Sequence, residues 1–163
     1  MDASIRPAAP DDVPLLLDLI AQLAVYEQRG EEAVATEALL AAHLFGPRPA
    51  AEAAVAELDG EPVGFALWFT TFSTFLGRPG MWLEDLFVVP PRRRRGVGRA
   101  LLAHVAALAV ERGCGRLEWS ALDWNEPALT LYRSLGARLQ DEWITHRLDG
   151  AALERLAAEQ RSA

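Results

Sequence analysis

The chain has 163 residues, 51% hydrophobic and 24% charged, with a formal net charge of −7. That is the length of one domain with enough apolar content for a core, and the acidic balance argues against nucleic-acid phosphates as the main partner. The single cysteine, Cys114, excludes an intrachain disulfide and a multi-cysteine zinc site.

Near the start, Asp2, Arg6, Asp11 and Asp12 leave no room for the apolar region of a secretory signal. The longest helix-like apolar run, Leu101 to Val110, is interrupted by His104 and is too short to span a bilayer. The cytoplasm is therefore the expected location. Ser4 to Pro7 reads as a short strand, and Pro10-Asp11-Asp12 as a helix start with acidic residues in its first turn. Val13, Leu16, Leu17, Ile20, Leu23 and Ala24 then keep the period of an amphipathic helix ending near Arg29-Gly30. Thr36 suits the cap of a second helix, Glu37 to Phe45, stopped by Gly46-Pro47.

Ala53 to Leu58 and Val63 to Phe72 read as strands joined by the turn Asp59-Gly60-Glu61-Pro62. Ser73 to Gly80 reads as a loop, and Met81 to Val89 as a third strand whose apolar run is broken only by Glu84-Asp85. A helix is expected from Gly98 to Arg112, with Leu101, Leu102, Val105, Leu108 and Ala109 as its apolar stripe, and a strand from Arg116 to Leu122. Asn125-Glu126-Pro127 opens a short helix through Leu135, followed by a strand, Glu142 to Leu148, and a last helix, Ala151 to Glu159. Helices between strands, with hairpin-linked strands in the middle, predict a mixed α/β sheet flanked by helices in a single domain over residues 1–163.

The chemistry concentrates where the third strand meets the following helix, at Arg92-Arg93-Arg94-Arg95-Gly96-Val97-Gly98-Arg99. Two glycines let the backbone approach a ligand. The helix start offers unpaired N–H groups and a positive dipole end, which together suit a pyrophosphate. Arginines can add charge-assisted contacts. The same run also reads as a solvated basic surface or a nucleic-acid patch. It is neither a P-loop, lacking the Gly-Lys-Ser/Thr ending, nor the dinucleotide G-x-G-x-x-G.

Arg93-Arg94-Arg95-Gly96-Val97-Gly98 resembles the Arg/Gln-x-x-Gly-x-Gly/Ala signature of the GNAT superfamily of N-acetyltransferases. Three further motifs resemble its spermidine/spermine and thialysine branch. They are Trp82 to Val88, Trp124 to Ala128 with Tyr132 beyond, and the pair Ile5 to Ala8 and Ala24 to Glu27. The likeness runs from residue 5 to about residue 148. It implies a central, mostly antiparallel mixed sheet flanked by helices. It also implies direct transfer of an acetyl group from acetyl-CoA to a primary amine of a small polyamine-like or amino-acid-like substrate. A homodimer is implied as well. Arg94 stands where that branch usually has glycine, which weakens the polyamine assignment within it.

The resemblance assigns roles residue by residue. Leu86, Phe87 and Val88 would pair their backbone with the pantetheine arm. Arg93, Arg94, Arg95, Gly96, Val97, Gly98 and Arg99 would hold the pyrophosphate, and Asn125, Glu126, Pro127 and Ala128 the cofactor side of the pocket. Tyr132 would protonate the departing thiolate, though a core tyrosine beside Leu131 and Leu135 is the plain alternative. Glu84 would bind the substrate ammonium and take its proton, directly or through water. The alternative is a structural ion pair with an arginine. As neighbours on a strand, Glu84 and Asp85 should point to opposite faces, so only one of them should line the cleft. Tyr26, Glu27, Glu118, Trp119 and Ser120 would wall the acceptor site, with Glu31 and Glu32 adding negative charge. A solvated helix end for Tyr26 and Glu27, and plain core for Trp119, stay open.

Cys114 reads as structural, and His43, His104 and His146 lack metal-ligand spacing, so no metal is expected. Two other functions fit the same sequence: acetylation of a protein or peptide amine, and a CoA-binding module without catalysis. The segment Ser73 to Gly80 should discriminate between substrates, since a closing loop suits a small amine and an open groove suits a peptide.

Overall fold

A computed structural model describes residues 3–160. The chain divides into two compact units, Met1–Glu126 and Pro127–Ala163. The first carries a sheet in the order β1-β2-β3-β4-β5. Its strands are β1 (Ser4–Pro7), β2 (Glu52–Leu58), β3 (Glu61–Ser73), β4 (Arg78–Val88) and β5 (Leu117–Trp119). The first three pairings are antiparallel, β2-β3 and β3-β4 through short turns, and β5 joins β4 in parallel.

Helices cover both faces. On one face, Leu16 and Leu19 of α1 (Val13–Tyr26) and Leu44 of α2 (Glu37–Phe45) pack with Val55, Phe65 and Phe87. On the other, Val97, Leu101, Leu102, Val105 and Ala109 of α3 (Val97–Glu111) are buried, and His104 meets the Trp68 ring edge-on at 6.0 Å. Leu16 and Phe65 are fully enclosed, and each such side chain contributes about 1.5–3 kcal/mol over leaving it in water. The start of α1 is held by charge. Arg6 on β1 donates to both carboxyl oxygens of Asp12 at 2.6 and 2.8 Å and to Glu57 at 2.7 Å, while Asp12 also accepts from the Ala9 N–H.

The capped helix α2 has the bounds expected from Thr36 and Gly46-Pro47, with Thr36 Oγ1 accepting from Leu39 N–H. Half of the expected loop Ser73 to Gly80 is strand, because β3 runs to Ser73 and β4 starts at Arg78. Four turn residues connect them.

The second unit carries most of α4 (Glu126–Ser134), whose first residue ends the first unit, and all of α5 (Gly150–Glu159). The strand expected from Glu142 to Leu148 is not formed; residues 138–149 adopt neither helix nor strand. A strand needs a neighbouring edge to accept its backbone bonds, and periodicity cannot supply that edge. Among the described residues, no helix is long and apolar enough to cross a membrane.

Candidate functional site

The second half of β4 organises the site. Up to Leu83 the strand is flanked on both sides, with Met81, Trp82 and Leu83 beside Leu117, Glu118 and Trp119 of β5. Beyond that point β5 has ended. From Glu84 to Val88 one hydrogen-bonding edge of β4 has no strand partner among the described residues. The opposite edge stays paired, with Leu86, Phe87 and Val88 against Ala66, Phe65 and Gly64. An extended amide-bearing chain could therefore lie along β4 as an added strand.

A β-bulge sits at the start of this open edge. Leu67 pairs with Asp85, but Trp68 pairs with Leu83, so Glu84 is the extra residue. A bulge interrupts the alternation of faces. Asp85 falls on the side of Leu67 and Phe87, and Glu84 accepts a 2.8 Å hydrogen bond from the indole of Trp82, two residues back on the strand. The expected strict alternation of faces between Glu84 and Asp85 therefore does not hold at the bulge. Their carboxyls are near enough that the charge of Glu84 raises the Asp85 pKa.

Asp85 was not among the expected site residues, yet it is the most perturbed carboxyl here. Burial, then the charges of Glu84 and Glu27, push its pKa up to about 6. Glu27, just past the end of α1, is itself shifted upward by burial, against a lowering influence from Arg29. Three carboxylates from two elements thus share one place, and Glu84 has an indole rather than an arginine as its partner. The sequence signal was the adjacent pair Glu84-Asp85 in an apolar strand; the bulge that separates them, with Asp85 half-buried and Glu84 exposed beside Trp82, was not visible. Among the described residues, no His, Cys, Asp and Glu side chains are grouped to hold a metal ion.

The arginine loop follows β4. Gly96 caps α3 with φ +83°, a left-handed conformation that glycine adopts without strain. Arg94 also has φ +58°. This position therefore favours glycine, and an arginine there holds strain of about 1–2 kcal/mol. Among the described residues, the N–H groups of Arg94 to Arg99 close no backbone hydrogen bond outside the helix ladder; the first capping bond runs from Ala100 N–H to Gly96 O at 2.9 Å. Arg94, Arg95 and Arg99 are exposed and make no ion pair there. Free donors at a helix start, with three unpaired cations around them, fit a diphosphate.

Arg92 and Arg93 are used differently. Arg92 meets Glu61 at 3.3 Å. Arg93 donates from Nε to the Val88 carbonyl at 2.8 Å, with its guanidinium 4.2 Å from the Tyr26 ring centroid and 5.4 Å from that of Phe87. Tyr26 reaches onward: its hydroxyl donates to Asn125 Oδ1 at 3.0 Å, and its ring tilts against Trp124 at 5.9 Å. Tyr26 is therefore a junction between α1, the loop and residues 124–125 rather than a solvated helix end.

On β5, Glu118 pairs with Arg116 at 2.7 Å and lies beside Trp82. Trp119 lies beside Leu83, which faces α3 through its partner Trp68, so these neighbours serve opposite faces. Ser120 is exposed just past the strand. Glu126 opens α4, and Pro127, Ala128 and Tyr132 lie on it in the second unit. The Tyr132 carbonyl accepts from Leu135 and Ala137 N–H at 3.1 Å each.

Residues 19–137 match the family described as the acetyltransferase (GNAT) family. The chain is 37% identical to thialysine N-epsilon-acetyltransferase of Bos taurus, over 94% of this chain and 96% of that one. It is 34% identical to an L-ornithine N5-acetyltransferase of Arabidopsis thaliana, over 94% and 87%. Among solved structures, an integron cassette protein from the mobile metagenome of V. cholerae superposes with a TM-score of 0.79 at 30% identity, covering 96% of this chain and 98% of that one.

Proposed function

The chain belongs to the GNAT family and is an N-acetyltransferase, and on that premise we propose that it moves the acetyl group of acetyl-CoA directly to a primary amine of a small, multiply charged substrate of the ornithine, thialysine or polyamine kind. The observation that carries the substrate class is the group Glu27, Glu84 and Asp85 beside the open edge of β4. A carboxylate cluster of that kind attracts a polycation and repels an anionic acceptor.

In this reading the pantetheine arm lies along Leu86 to Val88, and its diphosphate sits on the N–H groups of the loop and the α3 start. The amine arrives as an ammonium, since its pKa is near 10. A carboxylate of the cluster, Glu84 directly or through water, takes one proton. The nitrogen then attacks the thioester carbon. The C–N bond forms, the C–S bond breaks, the thiolate leaves with a proton from Tyr132, and the second proton shed by the nitrogen restores the Tyr132 phenol. Each turnover gives one amide and one free thiol. The whole chain works as one acetyltransferase domain, in the cytoplasm, as a homodimer, with no metal, membrane or nucleic acid as partner.

The test is thiol release with acetyl-CoA and a panel of ornithine, lysine, thialysine, spermidine and monoamines. Turnover with diamines and little with monoamines is expected. No turnover across the panel, despite clear acetyl-CoA binding, would sink it. A second reading, acetylation of a peptide amine, is favoured by the short turn between β3 and β4, which leaves no long loop to fold over an acceptor. A peptide array incubated with labelled acetyl-CoA separates the two.

A further inference from the structure

Arg93 opens the basic loop, and its position there suggests a phosphate ligand. Its side chain is engaged elsewhere. The guanidinium donates from Nε to Val88 O at 2.8 Å and lies over the Tyr26 ring at 4.2 Å from its centroid. It is half-buried and has no carboxylate partner among the described residues. An unpaired, partly desolvated cation is costly unless a π-face or carbonyl replaces its water, and here both do. Tyr26 in turn is fixed by Asn125 through its hydroxyl and by Trp124 against its ring.

We propose that Arg93 and Tyr26 are a positioning pair. Arg93 is not a phosphate ligand; it pins the first residue of the loop to the last residue of β4, and Tyr26 is the platform on which it rests. The loop beyond Arg93 depends on this anchor, because Arg94 holds a left-handed conformation that an unanchored arginine would leave. Glu27 follows Tyr26 directly, so the same contact ties the acceptor carboxylates to the loop as one body. The inference rests on the reading that the loop binds CoA.

A double-mutant cycle on CoA affinity, measured by calorimetry without catalysis, tests it. Arg93→Met and Tyr26→Leu should each weaken CoA binding about fivefold, the size of a half-desolvated cation–π contact. The double variant should be no weaker than the worse single, because both remove one contact. Tyr26→Phe keeps the ring and should bind CoA within about twofold of wild type, which also shows that position 26 tolerates change without unfolding. Independent losses that multiply in the double variant, or a loss with Arg93→Met and none with Tyr26→Leu, would mean that Arg93 meets the ligand itself, and the pair would be rejected. Wild-type protein giving no heat with CoA would instead bring down the reading of the loop.

Discussion

Asp85→Asn should make the protein more stable at neutral pH while impairing its activity. The carboxyl has its pKa raised from the ordinary 3.8 to about 6 by burial and by the charges of Glu84 and Glu27. The folded protein therefore holds this proton more tightly than the unfolded chain does. Where the native state binds more protons, stability falls as pH rises. The penalty is absent below the unfolded pKa, grows between pH 4 and 6, and is fully present above 6. A shift of about two units corresponds to roughly 3 kcal/mol at pH 8, of which about half is already present at pH 5. Asparagine cannot ionise, so it removes the pH-dependent part. Urea unfolding of both proteins at pH 5 and pH 8 checks this. The variant's advantage should be larger at pH 8 by about 1.4 kcal/mol. Taking variant minus wild type cancels the other titrating groups. An advantage that stays constant between the two pH values would refute the claim that Asp85 ionises inside a crowded carboxylate cluster. In the same variant, KM for a diamine should rise at least tenfold if the cluster binds the ammonium, since a hydrogen bond to a charged group contributes about 1.5–3 kcal/mol.

Tyr132→Phe should slow acetyl transfer roughly 100-fold with CoA affinity unchanged, if the phenol protonates the leaving thiolate; stopped-flow thiol release and calorimetry read the two quantities separately. Arg94→Gly should raise stability by about 1 kcal/mol, because glycine takes φ +58° without strain, and should weaken CoA binding at low salt by removing one cation; a melt and a salt series check both effects. Asp12→Ala should destabilise the fold by about 2 kcal/mol at pH 7 through its lost bonds to Arg6. The Arg6 contact holds the Asp12 pKa below the usual value. Its contribution is therefore complete above that value and lost as pH falls through the folded pKa, so wild type and variant should converge in acid unfolding curves.

What the sequence disclosed and what it hid divide along physical lines. Local signals worked where the structure they report is local. Thr36 and Gly46-Pro47 bound α2 because caps act within a turn, and Gly96 of the arginine loop marked left-handed backbone. Non-local pairing was hidden. Gly77, Pro79 and Gly80 read together as a loop, but only Gly77 turns the chain. Pro79 and Gly80 lie in β4, and Gly80 is there because a Cβ would come within 2.7 Å of Thr71 Oγ1 on the neighbouring strand. A glycine demanded by close packing looks the same in sequence as one demanded by a turn. The bulge at Glu84 belongs to the same class. It exists only in the register between β3 and β4, so alternation placed Glu84 and Asp85 on opposite faces and gave no sign that Asp85 would be the perturbed carboxyl. The Arg94 position shows the reverse case. A departure from a family pattern read at first as a change of substrate has a backbone meaning, since the residue sits at positive φ. Its argument about which amine is acetylated is correspondingly weak, and that question passes to Glu27, Glu84 and Asp85, whose charges lie close enough together to raise the Asp85 pKa.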